Sequence, residues 1–245
     1  MTNVVKICGL RDAESAQHAI TNGADLLGMI MVPGRSRTVD TEVAKQIVAG
    51  VKNQRRANHV RTVFEGIDIT LPFPQYVDQV RRNIISQGPF TVGVFRNQSE
   101  EEVYGLAREI GVDFIQLHGS EDKPSFFAHN KNLEFGIIPR YVLDRDENDM
   151  KVHFANLDQF PGMAIPLLDS EAGGEGKTID WESINNLQYG RFLLAGGLTP
   201  DNVNETRYIK NLVGFDVSGG VETEGVKDRD KITKFIENGK DVVFE

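Results

Sequence analysis

The sequence predicts an α/β chain folded as a (β/α)8 TIM barrel, with residues 1–245 in a single domain. Eight short apolar segments recur along the chain, and most are followed by a polar or glycine-containing turn and a helical pattern. Their near-continuous hydrophobicity is typical of parallel strands that are buried on both faces. Most of them start roughly 20 to 30 residues apart, which is the length of one strand–helix unit. Eight units close a barrel, whereas the alternative, an open doubly wound sheet, more often has about five or six.

The segments between the predicted strands carry helix signals. Asp12 is suited to cap a helix that ends at Gly23. Ser99 begins another that ends at Gly111, and Pro200 marks the start of a third. The predicted strands are 4–8, 25–32, 90–96, 113–118, 134–142, 163–169, 191–197 and 213–220.

Two features depart from this regular pattern. Pro139 weakens the fifth strand, because proline cannot donate to a strand ladder. The second and third strands are separated by 57 residues, of which a helix at 41–53 accounts for only part. The surplus contains a strand-like run at 60–64 and a helical pattern from Gln75. We expect 54–88 to be an insertion packed on the barrel exterior, not a separate domain.

Composition narrows the class of protein. A net charge of −9 argues against nucleic acid and anionic membrane partners, which favour basic surfaces. A single cysteine and the lack of a signal-peptide pattern or of an apolar run of about 18 residues indicate a cytoplasmic protein without a membrane span. No apolar surface stripe stands out, so we expect a monomer.

The stretch "PLLDSEAGGEGKTIDW" ends in a partial phosphate-loop motif. Gly176, Lys177 and Thr178 supply its second half, but Glu171 stands where the first glycine belongs. A glutamate there blocks the tight backbone turn and adds negative charge where phosphates would bind. We therefore interpret the segment as a glycine-rich loop that moves as a lid.

Polar residues gather where the predicted strands end. In a (β/α)8 barrel these carboxyl ends meet at one mouth, which holds the active site. The residues expected there are Cys8, Arg35, Arg37, Gln116, His118, Asp169, Gly196, Gly197, Asp216, Ser218, Gly219 and Gly220.

Three groups at this mouth suggest chemistry. The glycines of "AGGLTP" and "VSGGVE" let consecutive N–H groups point at one spot, which favours a phosphorylated substrate over plain tight turns. Cys8 and Asp169 are suited to transfer protons as a pair. Two simpler interpretations remain open: Cys8 as a small buried apolar residue, and Asp169 as an acid that caps a turn. His118 is interpreted as a hydrogen-bonding group. With no histidine pair at i and i+4, we predict no metal site.

Several motifs also resemble a known family. "VKICGLRDAESA", "GRSRTV", "VGVFRN", "FIQLHGSE", "LLDSEAGGEGKTIDW", "LAGGLTPDNV" and "GFDVSGGVE" look like phosphoribosylanthranilate isomerase of tryptophan biosynthesis, most of all its stand-alone fungal members. The motifs occur in the family's order and cover nearly the whole chain except roughly 50–90.

The resemblance implies a cofactor-free Amadori rearrangement of N-(5-phosphoribosyl)anthranilate to 1-(2-carboxyphenylamino)-1-deoxyribulose 5-phosphate. By the same resemblance, Asp169 is the general acid at the ring oxygen and Cys8 the base at C2′. Arg37 is expected near the anthranilate carboxylate. His118 and Asp216 match lesser substrate-binding positions. The family's phosphate site matches Gly196, Gly197, Ser218, Gly219 and Gly220.

These roles set physical conditions. Cys8 must be partly thiolate although its ordinary pKa is about 8.5, and Asp169 must keep a proton near neutral pH. Lys6 is a cation that could help Cys8, but the pattern leaves open whether it faces the cavity. We expect Glu175 to face solvent. The alternatives are another phosphate-binding barrel enzyme, such as an epimerase or an indole-glycerol-phosphate synthase relative, and a catalytically inactive binding barrel.

Overall fold

The computed structural model describes residues 2–57, 62–130, 132–143, 145–170, 181–187 and 189–244. Within them, eight parallel strands pair in sequence order, and the last pairs with the first, so the predicted (β/α)8 barrel is confirmed. Its strands are β1 (Val4–Ile7), β2 (Leu26–Ile30), β3 (Phe90–Phe95), β4 (Phe114–Leu117), β5 (Gly136–Tyr141), β6 (Leu167–Leu168), β7 (Phe192–Leu194) and β8 (Leu212–Val217).

The described helices begin and end close to the predicted signals. Asp12 accepts a hydrogen bond from the Ser15 backbone, and Ser99 forms a full capping box with Glu102. The predicted helix after Pro200 differs, because a 3-10 helix occupies Val203–Tyr208. The α-helices are α1 (Ala13–Thr21), α2 (Thr41–Lys52), α3 (Phe73–Gln87), α4 (Glu100–Ile110), α5 (Lys123–His129), α6 (Glu147–Ala155), α7 (Trp181–Asn185) and α8 (Arg229–Asp241). None of the helices in the described part of the chain has the length and apolar character that a bilayer crossing requires.

Strands β5 and β6 show the effect of two prolines. Strand β5 forms despite Pro139, but β6 is much shorter than the predicted 163–169. Neither Pro139 nor Pro166 has an N–H to donate, and the pairing is interrupted between the bridge Ile137–Met163 and the pair Arg140–Leu167. The ladder resumes at the carboxyl ends, where it positions the residues of the site.

Helix α3 lies in the long interval between β2 and β3. It begins slightly before Gln75. Of the strand-like run predicted at 60–64, residues 60 and 61 lie outside the described part of the chain, and residues 63–66 form a turn. Its apolar face joins the core, the Tyr76 hydroxyl donates to the Met163 carbonyl, and Arg81 donates to the Thr2 carbonyl. Thr2 and Met163 precede β1 and β6, so α3 packs at the end of the barrel where the strands begin.

Candidate active site

A cavity of about 810 Å³ opens at the carboxyl ends of the strands. Its size is that of a pocket for a small organic ligand. Strand ends from all sides of the barrel contribute to it, which is why residues far apart in sequence meet there. The cavity brings together every site residue predicted from the sequence: Cys8, Arg37, His118, Asp169, Gly196, Gly197, Asp216, Ser218, Gly219 and Gly220.

Lys6 lies inside the barrel below Cys8. Alternate residues of a strand face the same side, and Lys6 and Cys8 are two residues apart on and just after β1. The fully buried Lys6 ammonium lies 2.9 Å from the Asp216 carboxylate on the neighbouring β8. Burial lowers the pKa of Lys6, but Asp216 and the Cys8 sulfur outweigh it, so this pKa lies above its ordinary value. The orientation that the sequence left open is thereby settled, since the Lys6 ammonium points into the barrel and lies close to the Cys8 thiol.

Cys8 is buried and its sulfur is closely packed. Burial raises the pKa of the Cys8 thiol, and the opposing effect of Lys6 does not cancel that rise. This direction opposes the thiolate that a base needs, and the Lys6 ammonium is the neighbouring charge that favours the thiolate. A Cβ on Gly28 would lie 2.7 Å from the Cys8 sulfur and 3.0 Å from the Lys6 nitrogen, so only glycine leaves room for both groups there.

Asp169 is held from two sides and is 3 % exposed. The Ser170 backbone N–H donates to Oδ1 at 2.8 Å, and Arg140 Nε donates to Oδ2 at 3.0 Å. Burial raises the pKa of Asp169, and Arg140 opposes that rise without cancelling it. The direction favours a protonated acid, as the sequence required. Arg140 was missed, although a charged residue in the apolar run "GIIPRY" was a signal for it.

His118 stands beside the acid as a neutral imidazole. Its Nε2 lies 3.5 Å from Asp169 Oδ2, and burial, with a contribution from Arg140, lowers the pKa of His118 to about 3. The Gln116 amide lies 3.3 Å from Nδ1 and, placed as the donor, leaves the ring hydrogen on Nε2. Gln116 Oε1 is buried without a partner among the described residues, which suits a substrate donor.

Arg37 lines the cavity, but one edge of its guanidinium group already has a partner. Its Nε and Nη2 bind the Glu222 carboxylate at 2.9 and 2.8 Å. Hydrogen bonding to Glu222 raises the pKa of Arg37. Glu222 also binds Lys227 at 2.8 Å. Both residues belong to a hairpin of β9 (Glu222–Thr223) and β10 (Val226–Lys227) that the sequence reading did not anticipate.

The glycine loops after β7 and β8 form another part of the cavity wall. Gly196 and Gly197 have positive φ values of 88° and 65°, a conformation that favours glycine. A Cβ on Gly220 would lie 1.8 Å from the Leu198 carbonyl oxygen. The backbones of the two loops are therefore so close together at this point that no side chain fits at position 220. Ser218 Oγ is buried without a partner among the described residues. These features suit a concave anion site built from backbone amides.

Part of the predicted site lies outside the described residues. This holds for the loop 171–180, and with it Glu171, Glu175, Lys177 and Thr178. Within the described ranges, His, Cys, Asp and Glu side chains form no group of three that could hold a metal ion.

Comparison with known sequences points to one family. Residues 67–238 match a family model described as N-(5'phosphoribosyl)anthranilate (PRA) isomerase. The N-(5'-phosphoribosyl)anthranilate isomerase of Candida albicans is 52% identical over 236 residues, covering 96% of this chain and 97% of that protein. The enzyme of the same name from Saccharomyces cerevisiae is 39% identical over 245 residues, covering 97% of this chain and 94% of its own.

Solved structures agree with the sequences. The crystal structure of phosphoribosyl anthranilate isomerase from Thermotoga maritima has a TM-score of 0.69 at 27% identity and covers 96% of this chain and 98% of its own. A phosphoribosyl anthranilate isomerase in complex with reduced 1-(o-carboxyphenylamino)-1-deoxyribulose 5-phosphate has a TM-score of 0.65 at 26% identity, with 96% and 97% coverage. The fold, the cavity and these similarities lead to one conclusion: the chain belongs to the phosphoribosylanthranilate isomerase family.

Proposed function

We propose that Asp169 and Cys8 divide the proton transfers of the isomerisation that defines this family. The chain has phosphoribosylanthranilate isomerase activity, an aldose–ketose isomerisation in tryptophan biosynthesis. Its substrate is N-(5-phosphoribosyl)anthranilate and its product is 1-(2-carboxyphenylamino)-1-deoxyribulose 5-phosphate. The assignment of roles is supported chiefly by one observation, that a buried carboxyl group and a buried thiol from β6 and β1 line a single cavity.

In the first step, Asp169 gives its proton to the ring oxygen of the ribose. The bond between that oxygen and C1′ breaks as the anthranilate nitrogen donates its lone pair, which produces an open, protonated Schiff base. In the second step, Cys8 as thiolate removes the proton from C2′, and the electron pair neutralises the nitrogen to give an enolamine. Tautomerisation of the enolamine yields the ketone without any cofactor.

The remaining predicted residues bind the substrate in this proposal. The amides of Gly196, Gly197 and the segment 218–220 hold the phosphate, supported by the positive φ values and the unpartnered Ser218 hydroxyl. His118 and Asp216 contact the sugar from β4 and β8. Arg37 meets the anthranilate carboxylate through the part of its guanidinium group that Glu222 does not occupy.

Burial raises the pKa of both catalytic groups, the Asp169 carboxyl and the Cys8 thiol. A carboxyl group titrates near pH 4 and a thiol near 8.5. The rise at Asp169 favours the protonated form that the first step needs, whereas the rise at Cys8 opposes the thiolate that the second step needs. The competent pair, protonated Asp169 with thiolate Cys8, is lost at low pH, where Cys8 binds a proton, and at high pH, where Asp169 releases one.

Substitution of each group tests the proposal. The fluorescence of anthranilate-derived substrate made in situ is followed for the wild type, Asp169→Asn, Cys8→Ser and the control Asp241→Asn, which changes an exposed carboxylate at the end of α8. We expect kcat to fall about 10²- to 10⁴-fold in both site variants and to be unchanged in the control. Cys8→Ser retains only a trace, because serine is a far weaker base. Full activity in either site variant would remove its assigned role.

We also propose that the enzyme is a cytoplasmic monomer in which 54–88 is part of the barrel domain. The exposed large apolar side chains of the described residues, such as Ile69, Val152 and Val243, are scattered singly over different elements. Helix α3 shares the barrel core and bonds to residues before β1 and β6. Sedimentation at micromolar concentration tests the monomer, and a single cooperative unfolding transition tests the single domain.

A further inference from the structure

Arg140 bonds to the Asp169 carboxyl group and to the Ser170 carbonyl, at the junction between β6 and the following loop. Its Nε donates to Asp169 Oδ2 at 3.0 Å, and its Nη2 donates to the Ser170 carbonyl at 2.6 Å. The Ser170 N–H donates a hydrogen bond to Asp169 Oδ1 at 2.8 Å. Because Nε and Nη2 lie on one edge of a planar group, these bonds hold the carboxyl group in one orientation relative to the backbone.

Packing alone does not explain an arginine at this position. Arg140 is 6 % exposed and Asp169 is 3 % exposed, so both charges are removed from water. Desolvating such a pair is expensive, and apolar residues of similar size often stabilise a fold as well or better. A charged pair retained at the mouth of the cavity therefore indicates a function.

We propose that Arg140 is a positioning residue for the acid: it holds the Asp169 carboxyl group toward the cavity and stabilises the carboxylate that remains after proton donation. This inference rests on the proposed role of Asp169 and adds a residue that the sequence reading did not identify. Arg140 acts through Asp169 and does not itself transfer a proton.

Other charged groups also face Asp169 and enter any pH dependence. Among the described residues, His118 on the side of β4 and Asp216 on β8 are directed at it. Lys6 and Arg96 act on the His118 ring in turn. A change at Arg140 also acts on His118, whose pKa Arg140 lowers, so the effect of Arg140 on the acid is read from the titration of Asp169 itself.

The test compares Arg140→Met, which removes the charge and the donors, with Arg140→Lys, which keeps a charge but cannot span both acceptors. We expect kcat to fall about 10- to 100-fold in Arg140→Met and less in Arg140→Lys, with KM changed by less than about threefold. The carboxyl ¹³C titration of Asp169, assigned by its loss in Asp169→Asn, should move to higher pH in Arg140→Met, because a nearby positive charge lowers a carboxyl pKa. Arg108→Met is the matched control, since Arg108 forms the same kind of pair with Glu134 on the exposed surface; we expect no change in it.

The outcomes separate the two proposals. If the wild type turns over and Asp169→Asn does not, but Arg140→Met keeps the wild-type kcat and Asp169 titration, the inference is wrong and the proposed function stands. If Asp169→Asn is fully active, the proposed function itself fails. Should circular dichroism show Arg140→Met to be unfolded, Arg140→Lys decides by the same two readouts, and wild-type values in it overturn the inference.

Discussion

Lys6 and Asp216 form an ion pair in the interior of the barrel, with 2.9 Å between Nζ and Oδ1. The pair joins the first strand to the last, at the seam where the barrel closes. The same ammonium group also faces the Cys8 sulfur. One buried cation therefore pairs with a carboxylate across the closing seam and also lies beside the proposed base.

Lys6→Met should destabilise the protein by about 3–5 kcal/mol, because it leaves the buried Asp216 carboxylate without a partner. The double variant Lys6→Met with Asp216→Leu removes both charges and should be more stable than the single variant. Urea unfolding measures both free energies. A double variant less stable than Lys6→Met would show that the pair is not a buried charge pair of this kind.

The pH dependence of Asp169→Asn should run opposite to that of the wild type. With both groups present, kcat/KM should fall at high pH, because the competent pair of protonated Asp169 and thiolate Cys8 then loses the Asp169 proton. Without the acid, the residual rate follows the thiolate alone and should rise over the same range. Rates measured from pH 6 to about 10, with unfolding monitored by circular dichroism, check this. A residual rate that is flat over that range would contradict Cys8 as the base.

Gly28→Ala should reduce activity and cost about 1–3 kcal/mol of stability, because its Cβ would displace the Cys8 sulfur. Gly50→Ala is the matched control. Gly50 lies within α2 with open space around it, so a Cβ there should stabilise the protein by about 0.4–1 kcal/mol. Thermal unfolding and kcat of the two variants make the comparison. Equal changes of stability and kcat in Gly28→Ala and Gly50→Ala would mean that the space beside the Cys8 sulfur does not restrict the residue at position 28.

Arg37→Met should raise KM by about 10- to 100-fold if Arg37 binds the anthranilate carboxylate. The specificity of this contact is tested with the substrate made from aniline, which lacks the carboxylate. The wild type should lose affinity for that analogue, whereas Arg37→Met should treat both substrates alike, as in a double-mutant cycle. If the loss of affinity caused by Arg37→Met and the loss caused by removing the carboxylate simply add, the carboxylate does not bind at Arg37.

Most of the barrel follows from local patterns in the sequence. Apolar runs mark the strands, and Asp12, Ser99 and Gly111 mark helix ends, because burial on both faces and capping depend on residues close along the chain. The strand count then places Cys8 and Asp169 at one mouth, since parallel strands share a carboxyl end. The sequence alone was therefore sufficient for the fold class and for the meeting of Cys8 and Asp169 at one cavity.

Local sequence patterns were insufficient where the structure depends on a partner far away in the chain or on a missing backbone N–H. The shortness of β6 depends on Pro139 and Pro166 meeting across two strands. The edge of Arg37 is occupied by Glu222, which is 185 residues away in the chain.

The charge states of the site residues also depend on partners that are far away in the chain. Lys6 and Asp216 are 210 residues apart, and Arg140 reaches Asp169 from the neighbouring strand. Sequence spacing indicates which side chains share a cavity, but their ionisation depends on burial and on distances of about 3 Å between specific atoms. Only the folded chain brings those atoms together, so the tertiary structure decides which proton is available and which group holds it.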